Sequence, residues 1–115
     1  MLKKFYYDGL DTGKTIYVII LRTKDGAYLD SDFHFKETPA SPYLAMTELT
    51  PAAVASKIYY LADSTTVWED GTYQMFVYEQ AGVSPATNTD DKLSSSTFYI
   101  KSDEILERNY FYSAI

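Results

Sequence analysis

Four groups of residues in this chain are of types that carry chemistry. Asp11-Thr12-Gly13 puts a carboxylate on a tight turn, and two such turns facing one another would let two aspartates share one proton. His34 is the single histidine, so a histidine-based triad or metal site would have to be completed by carboxylates alone or across a subunit interface. Asp30-Ser31-Asp32 and Asn88-Thr89-Asp90-Asp91 offer hard oxygen ligands of the kind Ca²⁺ takes. Trp68, with Tyr59, Tyr60 or Tyr73, could form a ring platform that stacks on a sugar.

The neighbours of these residues favour plainer roles. A retroviral-type aspartic protease follows its Asp-Thr-Gly with Ala or Ser and later has a Gly-rich flap and an apolar pair before a Gly. Here Lys14 follows, and the next strand leads to Arg22, so the tripeptide reads as a turn. His34 lies between Phe33 and Phe35 and reads as structural. Neither acidic cluster has the spacing of an EF-hand loop, which leaves solvated loop carboxylates. A Trp just before a corner turn plugs the end of a core, with the sugar platform as the alternative. Gly-rich phosphate loops, a GxSxG elbow and a basic stripe with interleaved rings are all missing from the sequence. The expectation is a protein that is not an enzyme and uses no cofactor or metal.

The elements that must position these residues are strands. A chain of 115 residues suits one domain and buries roughly 65% of its unfolded surface. Without cysteine, its stability comes from packing alone. Twelve Tyr beside six Phe and one Trp supply large amphipathic rings suited to strands and to wet contact surfaces. A net charge of −6 opposes attraction to phosphate backbones and anionic lipid, so neither nucleic acid nor membrane is an expected partner. The longest apolar run, Ile16 to Leu21, is far shorter than the roughly 20 residues of a membrane helix. Met1-Leu2-Lys3-Lys4 is followed by a polar, turn-forming FYYDGLDTG rather than an apolar h-region, so export by a signal peptide is not expected.

Turn signals recur at Asp8-Gly9, Asp11 to Gly13, Asp25-Gly26, Pro39 to Pro42, Asp70-Gly71 and Ala81 to Asp91, a spacing typical of short strands. Lys14 to Arg22 is β-branched and apolar on both faces, which predicts a central strand. Asp25-Gly26 predicts a hairpin turn into Ala27-Tyr28-Leu29. Further strands are expected at Ser31–Lys36, Tyr43–Glu48, Lys57–Leu61, Thr72–Gln80 and Thr97–Lys101. Pro51 to Ala55 after Thr50 predicts one short helical turn, and Asp103 to Arg108 another. Ser84 to Ser96 reads as a long exposed loop. The most informative stretch is Trp68 to Gly82. There Glu69-x-Gly71-x-Tyr73, preceded by Trp68, has the spacing of a tyrosine corner, in which a Tyr hydroxyl bonds back to upstream backbone at the edge of a β-sandwich. The fold class is therefore all-β: a single Ig-like antiparallel β-sandwich of about seven to eight short strands, with at most one short helical turn. The domain spans 1–101, and residues 102–115 form an aromatic tail docked on it or on a neighbour.

Arg22 to Tyr28 (R-x-x-D-G-x-Y), YLAMTE, W-x-D-G-x-Y-x-x-x-V-Y-E-Q-A-G-x-S-P-A and T-D-x-K-L together resemble the small β-sandwich proteins and modules of tailed-phage and metagenomic viral genomes. The resemblance covers most of residues 14 to 101. Two features depart from it: Lys57-Ile58-Tyr59 lacks a preceding Gly, and the chain ends in a Tyr-rich tail rather than a short Trp-bearing strand. It implies a non-enzymatic virion structural protein, foremost a capsid decoration or cement protein. The alternatives are a carbohydrate- or receptor-binding module and a neck or tail-fibre part. The implied partners are other virion proteins, above all the major capsid protein, and also a second copy or a surface glycan. The implied location is the virion, assembled in the host cytoplasm. Phe5, Tyr6, Tyr7, Tyr110, Phe111 and Tyr112 are the expected contact residues.

Overall fold

The computed structural model describes residues 2–9, 11–49 and 57–106. All regular structure among them is β, in two antiparallel sheets that pack into a sandwich. The ten strands are β1 (Lys3–Asp8), β2 (Ile16–Arg22), β3 (Ala27–Leu29), β4 (Phe35–Lys36), β5 (Leu44–Ala45), β6 (Thr47–Glu48), β7 (Ile58–Asp63), β8 (Gly71–Glu79), β9 (Asp91–Lys101) and β10 (Glu104–Ile105). The small sheet has the order β1-β7-β6, and the large one β10-β9-β8-β2-β3-β4, with β5 also paired to β2.

The doubly apolar β2 is central, as its pattern requires. It pairs with β8 over its whole length on one side and shares its other side between β5 and β3. Ile16, Val18 and Ile20 point inward with Tyr73, Met75 and Val77 of β8 and Phe98 and Ile100 of β9, against Phe5, Tyr59 and Leu61 of the small sheet. The YLAMTE segment is where the chain changes layer. Leu44–Ala45 pairs with β2, the Met46 N–H donates to the Ile16 carbonyl, and Thr47–Glu48 pairs with β7. The Asp25-Gly26 turn joins β2 to β3 with Gly26 at φ 73°, a conformation only glycine adopts without strain.

Several expectations fail, two because a distant partner overrides the local pattern and one because a tight turn does. Residues 3–8 form a full strand antiparallel to β7 rather than a polar turn. Its inward Lys3 is completely buried, because its ammonium reaches Asp103 at 2.8 Å and the Thr66 carbonyl at 3.1 Å. The loop assigned to 84–96 ends at Asp90, and the Ser-rich stretch after it is strand, paired residue by residue with β8 and interrupted by a bulge between Val77 and Tyr78. Residues 103–106 are not helical. Ser102 and Asp103 have φ of 52° and 61°, as the central pair of a type I′ turn does, and they fold Glu104–Ile105 back onto β9. The sandwich thus runs past 101, and only 107–115 of the proposed tail lie outside the described residues. The helical turn expected at 51–55 lies outside them too.

Candidate functional site

The residues that first suggest chemistry are mostly committed to the fold. In the Asp11-Thr12-Gly13 turn, the Thr12 hydroxyl and the Gly13 N–H both donate to the Glu48 carboxylate, which also accepts the Lys57 N–H. These donors lower the Glu48 pKa. The Asp11 carbonyl accepts the Tyr59 hydroxyl, so the tripeptide is tied down as a turn. His34 is exposed. No group of three or more metal-ligating side chains occurs among the described residues.

Trp68 is 1% exposed, which removes it as a sugar platform. It sits in a sealed ring cluster with Phe5 at 5.3 Å, Phe35 at 5.1 Å, Tyr73 at 5.4 Å and Phe98 at 6.2 Å between centroids. Its indole N–H donates to Asp63, its backbone N–H donates to Asp103, and the Lys3 ammonium lies over its ring. Burial opposes ionisation of Asp103, yet the Lys3 ammonium and the Trp68 N–H hold its carboxyl down at about 2. The Tyr73 hydroxyl donates to the Glu69 carbonyl at 2.7 Å, which is the tyrosine-corner bond, and burial pushes its phenol up to about 12. Gly71 has φ 144°, which a side chain would strain. The Glu69 carboxylate bridges Arg22 and Lys24 outside the core.

The expected contact residues divide. Phe5 is wholly buried and stacks on Trp68, so its assignment to a partner surface is corrected: β1 alternates, and Phe5 faces inward with Lys3. Tyr6 is exposed on the outer face of the small sheet, while Tyr7 packs against the core beside Tyr59. Tyr110, Phe111 and Tyr112 lie outside the described residues.

A site that the sequence reading missed lies on the outer face of the large sheet. Ile19, Phe76, Tyr78 and Lys92, from β2, β8 and β9, floor a groove of about 450 Å³, flanked by Tyr28, Glu37, Pro39, Pro42, Tyr43 and Thr87. This falls within the roughly 300–1,000 Å³ of small-ligand sites. Alternation along β8 turns Phe76 and Tyr78 outward, and the bulge before Tyr78 brings Lys92 onto the same face, its ammonium 4.6 Å from the Phe76 ring centre.

Beside the groove, Tyr17 stacks on Tyr78, its cross-strand partner (5.3 Å, 8°), and meets Tyr43 edge-on (5.5 Å, 86°). The buried Tyr17 hydroxyl donates to Asp90 at 2.7 Å. Burial and then this bond to a carboxylate hold the Tyr17 phenol well above its ordinary value.

Both walls of the groove are braced by a buried aspartate. Asp90 accepts the Ala86 and Ala81 N–H groups as well as Tyr17, which fixes the 81–90 loop bearing Thr87. These donors, backbone first, lower its pKa. Asp30 accepts Lys36 and the Ser31, Ala40 and Ser41 N–H groups, which fixes the Pro39–Pro42 wall. Lys36 foremost, then the Ser41 N–H, holds the Asp30 carboxyl well below the usual carboxylate range. Asp30 and Asp90 are therefore loop braces, not the solvated carboxylates expected of their clusters. The only signal for this in the sequence is that each lies beside turn-forming residues. The groove itself joins rings about 50 positions apart, which no local pattern reveals.

No family model, curated protein or solved structure matches this chain.

Proposed function

We propose that this chain is a non-enzymatic module of a tailed-phage virion with an Ig-like sandwich, and in the first instance a capsid decoration protein. The observation that carries this is where the buried and half-buried carboxylates go. Asp30, Asp63, Asp90 and Asp103 each accept backbone or indole N–H groups that brace a loop or turn, so the ionisable groups serve rigidity rather than turnover. The tailed-phage motifs support the same reading. W-x-D-G-x-Y forms the corner and YLAMTE the change of layer, both parts of a stiff block.

Attachment to the particle would use Tyr6 of β1 with Tyr110, Phe111 and Tyr112, against the major capsid protein or another copy. Many weak contacts repeated over a shell would add through avidity. Mass spectrometry of purified particles tests this: hundreds of copies are expected for decoration, a dozen or fewer would mean a neck or fibre part, and absence would end the reading. A receptor-binding role is the second reading, and the braced groove favours it. The groove lies on the layer opposite Tyr6, so a particle bound through the small sheet leaves the groove facing outward.

A further inference from the structure

We propose that the groove on the outer face of the large sheet binds a neutral saccharide, one sugar ring lying against Tyr78. This rests on the reading of the groove as an outward contact site. A pyranose offers a ring plane with an apolar C–H face and a rim of hydroxyls that both donate and accept. The groove meets both halves of that description.

Tyr78 has one face against Tyr17 at an 8° interplanar angle and lines the groove. Tyr17 cannot tilt, because its hydroxyl is tied to Asp90 and its flank to Tyr43. The half-buried Tyr78 ring is therefore held in one plane before any ligand arrives, which lowers the ordering cost of binding. Phe76 and the Pro39–Pro42 wall add apolar surface beside it. Around this floor stand one carboxylate, Glu37, one ammonium, Lys92, and the hydroxyls of Thr87, Tyr28 and Tyr43, so acceptors and donors border the same space.

Charge selects against the other ligands such rings take. The groove carries one residue of each sign within a chain of net charge −6, which suits an uncharged ligand and opposes nucleic acid or a sulfated glycan. A proline-rich peptide would also use tyrosine surfaces, but it takes them as a row of parallel ridges. Here Tyr17 meets Tyr78 as a stack and Tyr43 meets Tyr17 by its edge, so the three rings form no row of ridges and Tyr78 offers one flat plate.

The test is a ¹⁵N-NMR titration of the purified 115-residue chain with cellotetraose, maltotetraose, chitotetraose and lacto-N-tetraose, alongside decaproline. At least one tetrasaccharide is expected to shift the amides of Tyr28, Phe76, Tyr78 and Lys92. Tyr78→Ala should abolish that shift. Val67→Ser, at an exposed site away from the groove, should keep it. Because Tyr78→Ala also removes a stacking partner of Tyr17, Lys92→Ala serves as a second variant that leaves the stack intact, and at least a tenfold loss of affinity is expected from it. Shifts from decaproline alone, shifts that survive Tyr78→Ala, or no shift with any of the sugars at millimolar concentration would each overturn the proposal. The titration needs no particle, so its failure leaves the virion reading standing, just as absence from particles leaves the sugar site standing.

Discussion

The two ring clusters of this sandwich, one inside the large sheet and one outside it, are built from the same parts to opposite ends. Inside, Trp68, Phe5, Phe35, Tyr73 and Phe98 close on one another, and the aspartates beside them, Asp63 and Asp103, meet the indole and the neighbouring backbone. Outside, Tyr78 stacks on Tyr17, which Tyr43 meets edge-on, at a groove that Tyr43 and Tyr78 line, and the aspartates beside them, Asp90 and Asp30, brace its walls. In the first, buried carboxylates seal a core; in the second, they keep a surface open. Ring content alone therefore does not mark a binding site. What marks it is whether the bracing groups leave a ring face uncovered.

The sharpest way to separate the clusters is to delete a ring from each. Trp68→Ala removes a fully buried indole and strands the Asp63 acceptor, and a loss of about 3–5 kcal/mol in urea unfolding is expected. Tyr78→Ala removes a half-exposed ring with one stacking partner and should cost roughly 1–2 kcal/mol while eliminating the groove's binding plate. Equal losses from the two variants would erase the distinction between seal and platform.

Acid should open the sealed end in a window set by Asp103. Its carboxyl is held at about 2, below the ordinary value of 3.8, so the Lys3–Asp103 contact adds stability that is complete above about pH 4 and is lost as pH falls through about 2. Trp68 is the only tryptophan and lies against this pair, so its emission is expected to move to the red over that window. Asp103→Asn should remove that step. Asp30 and Asp90 are lowered in the same direction, so the groove walls should lose amide protection in acid as well. Protection at Ala81, Ala86 and Ser41 reads this separately from the tryptophan signal.

How far the sequence revealed the two clusters follows from how local each one is. The corner is written within six residues, Trp68 to Tyr73, because a tyrosine-corner bond spans only four positions and Gly71 is needed for its backbone angle. The central strand was legible because Ile16 to Ile20 are apolar on both faces. Phe5 was misread because nothing near it in sequence shows that residues 3–8 pair with β7, 50 to 60 positions away, and turn Phe5 inward. The strand character of Ser94 to Ser96 was hidden for a similar reason, since its ladder is supplied by β8 and its own side chains say loop. The groove was invisible because its floor and walls meet only when β2, β8 and the 37–43 segment are assembled. Its two braces look like ordinary loop aspartates until their N–H donors are counted.

One chemical change made in both clusters sharpens the comparison furthest. Tyr73 and Tyr17 each donate a phenolic hydroxyl at 2.7 Å, the first to a neutral carbonyl, the second to a carboxylate. Tyr→Phe deletes that bond at either site and leaves the ring packing in place. A bond to a neutral acceptor contributes about 0.5–1.5 kcal/mol and one to a charged acceptor about 1.5–3 kcal/mol, so Tyr17→Phe should be the more costly in urea unfolding. The readouts should differ in kind as well. Tyr73→Phe frees a carbonyl at the rim of a packed core and should lower stability without altering the groove. Tyr17→Phe frees the Asp90 carboxylate, which still holds the Ala81 and Ala86 N–H groups, and lets the Tyr17–Tyr78 plate rock. Its expected signature is a broadened set of Tyr78 ring resonances and slower capture of the groove's ligand. If Tyr73→Phe proved the costlier of the two, the charged brace beneath the groove would contribute less than its geometry indicates, and the plate would owe its orientation to packing alone.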